Sequence, residues 1–315
     1  MVDARLLNAL PKPAAYSPWR GGNYAVAPGL RPLGTDFGNG EADRRPLLLD
    51  RDFDRYRENK LACCREARER HWTICGLQDR ATIRAFRRLA SELANAYPTC
   101  FSFTDDAFLS SLTGESVAID ANGALDHQRS SLPEFVDHPL EGLALQIPSD
   151  IATVERIGRE DRTTALHVCA PSGWAPEEKV GRSFFQVHQP VPGFDAVNAV
   201  ANRMVSAMIE RGPWIRFVWG VAFDAALNHH PGSATRGMRG DQFWVRTERQ
   251  STLGMPGDDT AIFIIHVQVT PGDTILCEPE SRAALRSGLL SMSEEARRYK
   301  GVAADFERLI QLLAD

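Results

Sequence analysis

Gln242–Thr270 reads QFWVRTERQSTLGMPGDDTAIFIIHVQVT. Two runs of strong β formers flank GMPGDD, a link built from residues that reverse a chain, so the segment predicts an antiparallel hairpin with strands Gln242–Leu253 and Ala261–Thr270. Working outward, Trp214–Phe223 and Thr164–Ala170 have the same composition and predict two further strands. In Ser116–His127, Val117 and Ile119 are separated from Leu125 by Asn122-Gly123, the dipeptide of type I′ hairpin turns. Helical patterns surround these strands. Pro176–Val180 starts on proline and stops at Gly181, and Phe194–Glu210 carries an apolar stripe of Val197, Ala201, Met204, Val205 and Met208. Upstream, Phe53–Ala67 and Asp79–Ala96 read as helices, the second with Ile83, Phe86, Leu89 and Leu93 on one face. Downstream, Ser291-x-x-Glu294 resembles a capping box, and Val302, Phe306, Leu309, Ile310 and Leu313 line a last helix. About five strands interleaved with helices make the expected class α+β. The expected division is an extended arm rich in Gly, Pro and Arg over 1–45, a helical region over 46–110, a sheet-and-helix core over 111–270 and C-terminal helices over 271–315.

The 315 residues are 43% hydrophobic and 24% charged, the balance of a soluble globular protein. A net charge of −5 argues against a nucleic-acid binder relying on a broad basic surface. No apolar run reaches the roughly 20 residues that cross a bilayer, and the amino-terminal stretch does not read as a secretory leader. Six irregularly spaced cysteines with no Cys-x-x-Cys predict reduced thiols and a cytoplasmic location; Cys63–Cys64 near His71 and Cys75 matches zinc spacing poorly. A P-loop, a complete dinucleotide fingerprint, a G-x-S-x-G elbow and H-E-x-x-H are all missing, which removes the common nucleotide, hydrolase and zinc-protease readings.

Chemistry concentrates in CAPSGWAPEEKVGRSFFQVHQPVPGF, Cys169–Phe194. An apolar strip of Phe184, Phe185 and Val187 delivers His188, and Pro190-Val191-Pro192 stiffens the exit. A histidine so fixed suits axial ligation of haem iron, which needs a set ring direction and apolar cover. Its other reading is a core histidine satisfied by backbone groups.

Pro171-Ser-Gly-Trp174, Glu178-Lys179-x-Gly181 and His188-x-Pro190-Val191-Pro192 together resemble the signature of the haem-dependent oxidative N-demethylase α-subunit family. Arg216-Phe-Val-Trp219 is similar to that family's Arg-x-Asn-Trp strand, and Arg246-Thr-Glu248-Arg249-Gln250-Ser-Thr-Leu253 to its Arg-x-Glu-Arg-Gln-Thr-Leu hairpin. Tyr299-Lys300-Gly301 matches a late block. The resemblance implies a PAS-like antiparallel sheet with flanking helices, a b-type haem against the sheet with His188 as axial ligand, and monooxygenase chemistry on a small methylated amine using dioxygen. It also implies electrons from a separate flavin and iron–sulfur reductase. Two departures, Val218 for the strand's Asn and Ser149-Asp150 for a Glu-Asp pair, leave the substrate open. A haem enzyme performing another oxidation or dehydration, and a PAS-like haem or gas sensor, stand as alternatives.

Strand parity puts Arg216 with Val218 on one face and Ile215, Phe217, Trp219 and Val221 on the other, and groups Arg246, Glu248 and Gln250. Arg216 and Glu248 are the candidate catalytic residues; an Arg and a Glu two apart on one face, as Arg246 and Glu248 are, suit a polar pocket wall, the cation for dioxygen or a propionate and the carboxylate for an ammonium, and the other reading is a surface ladder of ion pairs. Candidate haem contacts are His188, Trp174, Lys179, Arg182, Trp219 and Arg246. For Lys179 and Arg182 the other reading is exposed charge at a helix end, and for the tryptophans plain core. His229-His230 is expected to be a solvated pair, and His167 and His266 satisfied core residues or alternative axial ligands.

Overall fold

The computed structural model describes residues 2–158, 160–194, 200–233 and 237–314. Ten strands occur among them: β1 Arg31–Pro32, β2 Trp72–Ile74, β3 Phe101–Thr104, β4 Ala107–Ser110, β5 Glu115–Ala118, β6 Asp150–Ile157, β7 Glu160–His167, β8 Trp214–Ala222, β9 Trp244–Met255 and β10 Thr260–Pro271. Seven form one antiparallel sheet in the order β1-β8-β9-β10-β6-β7-β2, and β3-β4-β5 form a small second sheet. With the helices this is a mixed α/β fold on a large antiparallel sheet, richer in strands than the five expected.

The hairpin read from Gln242–Thr270 is the centre of the sheet. β9 and β10 pair without interruption from Met255↔Thr260 to Trp244↔Pro271. Pro256–Asp258 makes a single 3₁₀ turn between them, and Asp259 closes it with φ +48°. Asn122-Gly123 behaves differently. Gly123 has φ +85° but Asn122 is not left-handed, so this is no type I′ turn, and the isolated bridges Ile119↔Leu125 and Ser116↔Ser131 span it in place of a paired strand. Asp120 organises the loop instead, its Oδ1 accepting from the Asn122 and Ala124 amides. The turn with two positive φ values is Asp105-Asp106 (+50° and +59°), joining β3 to β4. Arg87 grips the Asp106 carboxylate with two hydrogen bonds, at 2.7 and 2.6 Å.

Helices Phe53–His71 and Asp79–Ala96 form where their periodicity places them, the first running on past a break at Ala67. The second buries Ala85, Phe86, Leu89 and Leu93 against Ile151, Leu253, Ile262 and Ile264 of the sheet. Helix Ala201–Glu210 packs across β9 at Gly254, where a Cβ would stand 2.3 Å from the Ile209 carbonyl oxygen. Val197, expected on the stripe of this helix, lies outside the described residues. The N-cap of helix Glu294–Tyr299 falls on Ser293, which accepts from the Ala296 amide, rather than on Ser291. The first 45 residues are not loose: Tyr16 and Trp19 are buried, and Trp19 joins the core of the last helices.

Registers sort the sheet into two faces. Arg216 pairs with Gln250, Val218 with Glu248 and Gly220 with Arg246, and these continue into Ile265, Val267 and Val269 of β10. Opposite partners share a face. The same face continues through Phe263 and Ala152 to Leu166. The other face carries Thr247, Arg249, Ile264, His266, Ile151 and His167.

Candidate functional site: a cavity on one face of the sheet

Ser183 accepts from the Gln186 amide and Gln186 reaches back to the Ser183 amide, a reciprocal cap that starts helix Phe184–His188. The apolar strip is therefore one turn and a half of helix, and it presents His188 at its C-terminus. The imidazole Nδ1–H donates to the Phe184 carbonyl at 2.8 Å. Its ring lies 4.2 Å from the Phe184 centroid and stacks on Phe194 at 5.5 Å and 18°. Burial pushes its pKa down to about 4; the Phe184 carbonyl and Glu248 oppose this, and Arg216 and Lys179 reinforce it. The ring is therefore neutral near pH 7, with Nδ1 committed to a carbonyl and Nε2 without a partner among the described residues. That is the tautomer in which a metal-ligating histidine is held.

Beyond His188 the same sheet face borders a cavity of ≈ 780 Å³, within the range of cofactor and ligand pockets. Val218, Gly220, Arg246 and Glu248 form part of its floor, with Lys300 and His230 in its walls. Glu248 is half-buried and accepts from Gln250 Nε2 at 2.7 Å. The Arg216 guanidinium is half-buried, its Nε is buried without a partner, and burial lowers its pKa against the pull of Glu248. Lys300 reaches over the floor, its Cδ 3.5 Å from where a Gly220 Cβ would stand, and desolvation lowers its pKa. So Arg216, Glu248 and the His188 imidazole are brought to one side of the sheet. Trp174 joins them, packing with Val180 and Phe263 over Ala152 and Leu166.

The remaining candidates are placed otherwise. Trp219 supplies backbone to the cavity, but its indole lies on the opposite face, against Gly288 and edge-on to Tyr24 at 5.8 Å. Arg246 is buried, with its terminal nitrogens on the carbonyls of Ala226 (2.7 Å), Leu227 (3.0 Å) and Ala170 (3.2 Å). It therefore fastens the 224–230 loop. Lys179 is half-buried after the 3₁₀ turn Pro176–Glu178, and burial lowers its pKa; Arg182 is exposed.

His229 and His230 are not a solvated pair. His229 Nε2 meets Asp224 at 2.9 Å, and buried His230 sits on the Glu177 carboxylate at 3.0 Å. Composition marks their segment as a loop but says nothing of the two carboxylates that face it. Lys300 and Tyr299 are further cavity residues, legible in the sequence only as part of a matching block.

His167 and His266 are core residues only half satisfied, for each leaves one buried nitrogen without a partner. Both lie on the far face. Burial pushes His266 down to about 3, helped by Arg249 and Lys60. An unfolded-state histidine titrates near 6.5, so between about 3 and 6.5 the unfolded chain binds the extra proton and stability falls as pH is lowered. His266→Phe is expected to flatten that fall. Thermal unfolding of both proteins at pH 7 and pH 5 checks this, and an unchanged difference between the two pH values would refute it.

The sequence model of the family described as haem-dependent oxidative N-demethylase, alpha subunit-like, matches residues 41–310. A search of the curated proteins finds no match. No helix among the described residues is long and apolar enough to cross a membrane.

Proposed function

The chain belongs to the haem-dependent oxidative N-demethylase α-subunit-like family, and on that premise we propose that it is a haem-dependent monooxygenase removing a methyl group from a small amine or related nitrogen-containing metabolite. The reading includes a b-type haem that His188 would hold against the sheet, a PAS-like arrangement of sheet and helices around it, a separate flavin and iron–sulfur reductase, and a cytoplasmic setting. The observation that carries it is His188 Nε2, which has no partner among the described residues while Nδ1 is pinned to Phe184, on a sheet face that also borders a large cavity and carries a buried Arg216 Nε without a partner among those residues.

These residues fit the group. His188 would hold the iron, Phe184, Phe194 and Trp174 would give apolar cover, and Arg216 and Lys179 are the cations placed for its carboxylates. Bound haem would supply activation of dioxygen for oxidation of an N-methyl carbon. The protein's own share is separate. The Phe184 carbonyl fixes the His188 ring and raises the basicity of Nε2. Glu248, steadied by Gln250, offers an anion to an ammonium where little water competes. Lys300 Nζ, made more acidic by desolvation, is a proton donor within the cavity. Val218, in the middle of the floor, gives an apolar contact at a position where an Asn would supply a donor and an acceptor. That difference selects a less polar substituent on the substrate.

Glu248→Gln keeps the shape of the floor and removes the charge. A hydrogen bond to a charged group contributes about 1.5–3 kcal/mol, so KM for a cationic amine is expected to rise roughly 10- to 100-fold with the absorption spectrum unchanged. Amine-dependent formaldehyde release with a reductase and NADPH reads both the activity and the KM. If no methylated amine perturbs the spectrum or yields formaldehyde, the demethylase reading fails.

A further inference from the structure

On the far side of the 228–230 loop from the cavity, three thiols and two imidazoles converge in the interior. Cys63, His71 and Cys169 place one ligand atom each within 4.8 Å of one another, and Cys64, His167 and Cys169 do the same. All five residues are buried. We propose that this cluster is a binding site for a thiophilic d¹⁰ cation, zinc or copper(I), distinct from the haem site and independent of the haem reading.

The donor set is the first argument. Thiolates and imidazoles are the ligands these ions prefer, and each triad supplies two thiols and an imidazole with Cys169 common to both. Orientation is the second. His71 Nδ1–H donates to the Val168 carbonyl at 2.8 Å, which leaves Nε2 as the nitrogen available to a cation, with the outer hydrogen bond of a ligating histidine in place. His167 has Nε2 3.9 Å from Cys64 Sγ and no partner for its buried Nδ1. Preorganisation is the third. The Cys169 backbone is clamped, its amide donating to Asp150 at 3.0 Å and its carbonyl accepting from Asn59 at 2.8 Å.

Surrounding groups suit a charged centre. Asn228 Nδ2 donates to Cys63 Sγ at 3.4 Å, and the Lys60 ammonium lies 3.8 Å from Asp150. The two thiolates of either triad balance the charge of a divalent ion, beside the neutral Lys60–Asp150 pair. Asn228 lines the cavity and His230 lies 5.9 Å from the His71 ring, so the loop forms a wall common to both sites.

The test uses the full chain purified with its haem. Elemental analysis by mass spectrometry separates zinc and copper from haem iron. Absorption spectroscopy at the zinc edge of zinc-loaded protein then reads sulfur near 2.3 Å and nitrogen near 2.0–2.1 Å. About one ion per chain is expected, lost in Cys169→Ser, which breaks both triads, and retained in Cys277→Ser, whose thiol is exposed. Should Cys169→Ser fail to fold, His71→Gln serves, with affinity for zinc lowered roughly 10- to 100-fold. Reduced wild type that takes up no zinc or copper, with all six thiols titrating on unfolding, overturns the site. So does full retention of the ion by folded Cys169→Ser, or a zinc edge showing only oxygen ligands.

Discussion

His188→Ala is expected to lose haem binding by more than about 100-fold, since removing the ligand itself exceeds the 10- to 100-fold typical of losing its outer partner. The expected readout is a Soret band that is weak or lost in the purified variant, and a haem titration that no longer saturates stoichiometrically. The fold should survive. The imidazole makes one hydrogen bond, to a carbonyl at the end of a five-residue helix, and two ring contacts. Circular dichroism and thermal unfolding separate a lost ligand from a lost fold. His229→Ala, altered at the far wall of the cavity, should keep the band. A variant at 188 that binds haem as tightly as the parent would transfer the ligand role elsewhere and remove the basis of the proposed function.

Lys60→Met is the second large effect, this time on stability. Lys60 and Asp150 are each about 1% exposed, and the ammonium donates to the Ala144 and Ser149 carbonyls at 2.8 and 2.6 Å. Burial alone lowers the lysine pKa and raises that of the aspartate, and each opposes the shift of the other. Removing one member of such a pair costs about 3–5 kcal/mol because the partner stays buried and uncompensated. That is a large share of the roughly 5–15 kcal/mol of a folded domain. Asp150→Asn in the same chain should recover part of the loss by removing the uncompensated charge, although its one carbonyl oxygen can accept from only one of the Cys169 and Ala170 amides that the two carboxylate oxygens serve. Denaturant unfolding of the two singles and the double closes the cycle. A single-variant loss under 1 kcal/mol would mean that water reaches the site.

The central strands were legible because β-branched and aromatic runs bounded by GMPGDD leave little else for the chain to do; parity grouped Arg216 with Val218 and Glu248 with Arg246 and Gln250, and the β8–β9 register puts the two groups on one face. The same parity put Trp219 on the opposite face, so its place against Gly288 follows from a rule stated at the outset. What stayed hidden was tertiary. Asn-Gly promised a type I′ turn, but Asp120 captured the loop amides and a turn with two aspartates took that role. Arg246 looked like a ligand-facing cation; three carbonyls from loops distant in sequence consume it. The thiol cluster was invisible to spacing because one helix supplies Cys63, Cys64 and His71 while Cys169 and His167 arrive with β7, close to one hundred residues later.

The amino-terminal arm bears on where this molecule ends. The family match begins at residue 41, yet Trp19 is sealed among Trp219, Leu285 and Leu289, and Tyr16 lies 4.9 Å from Phe217. Thr247 and Gln268 both donate to carbonyls of this arm. The arm is therefore cladding for the reverse side of the working strands, and the line drawn by kinship runs through the middle of a packed wall.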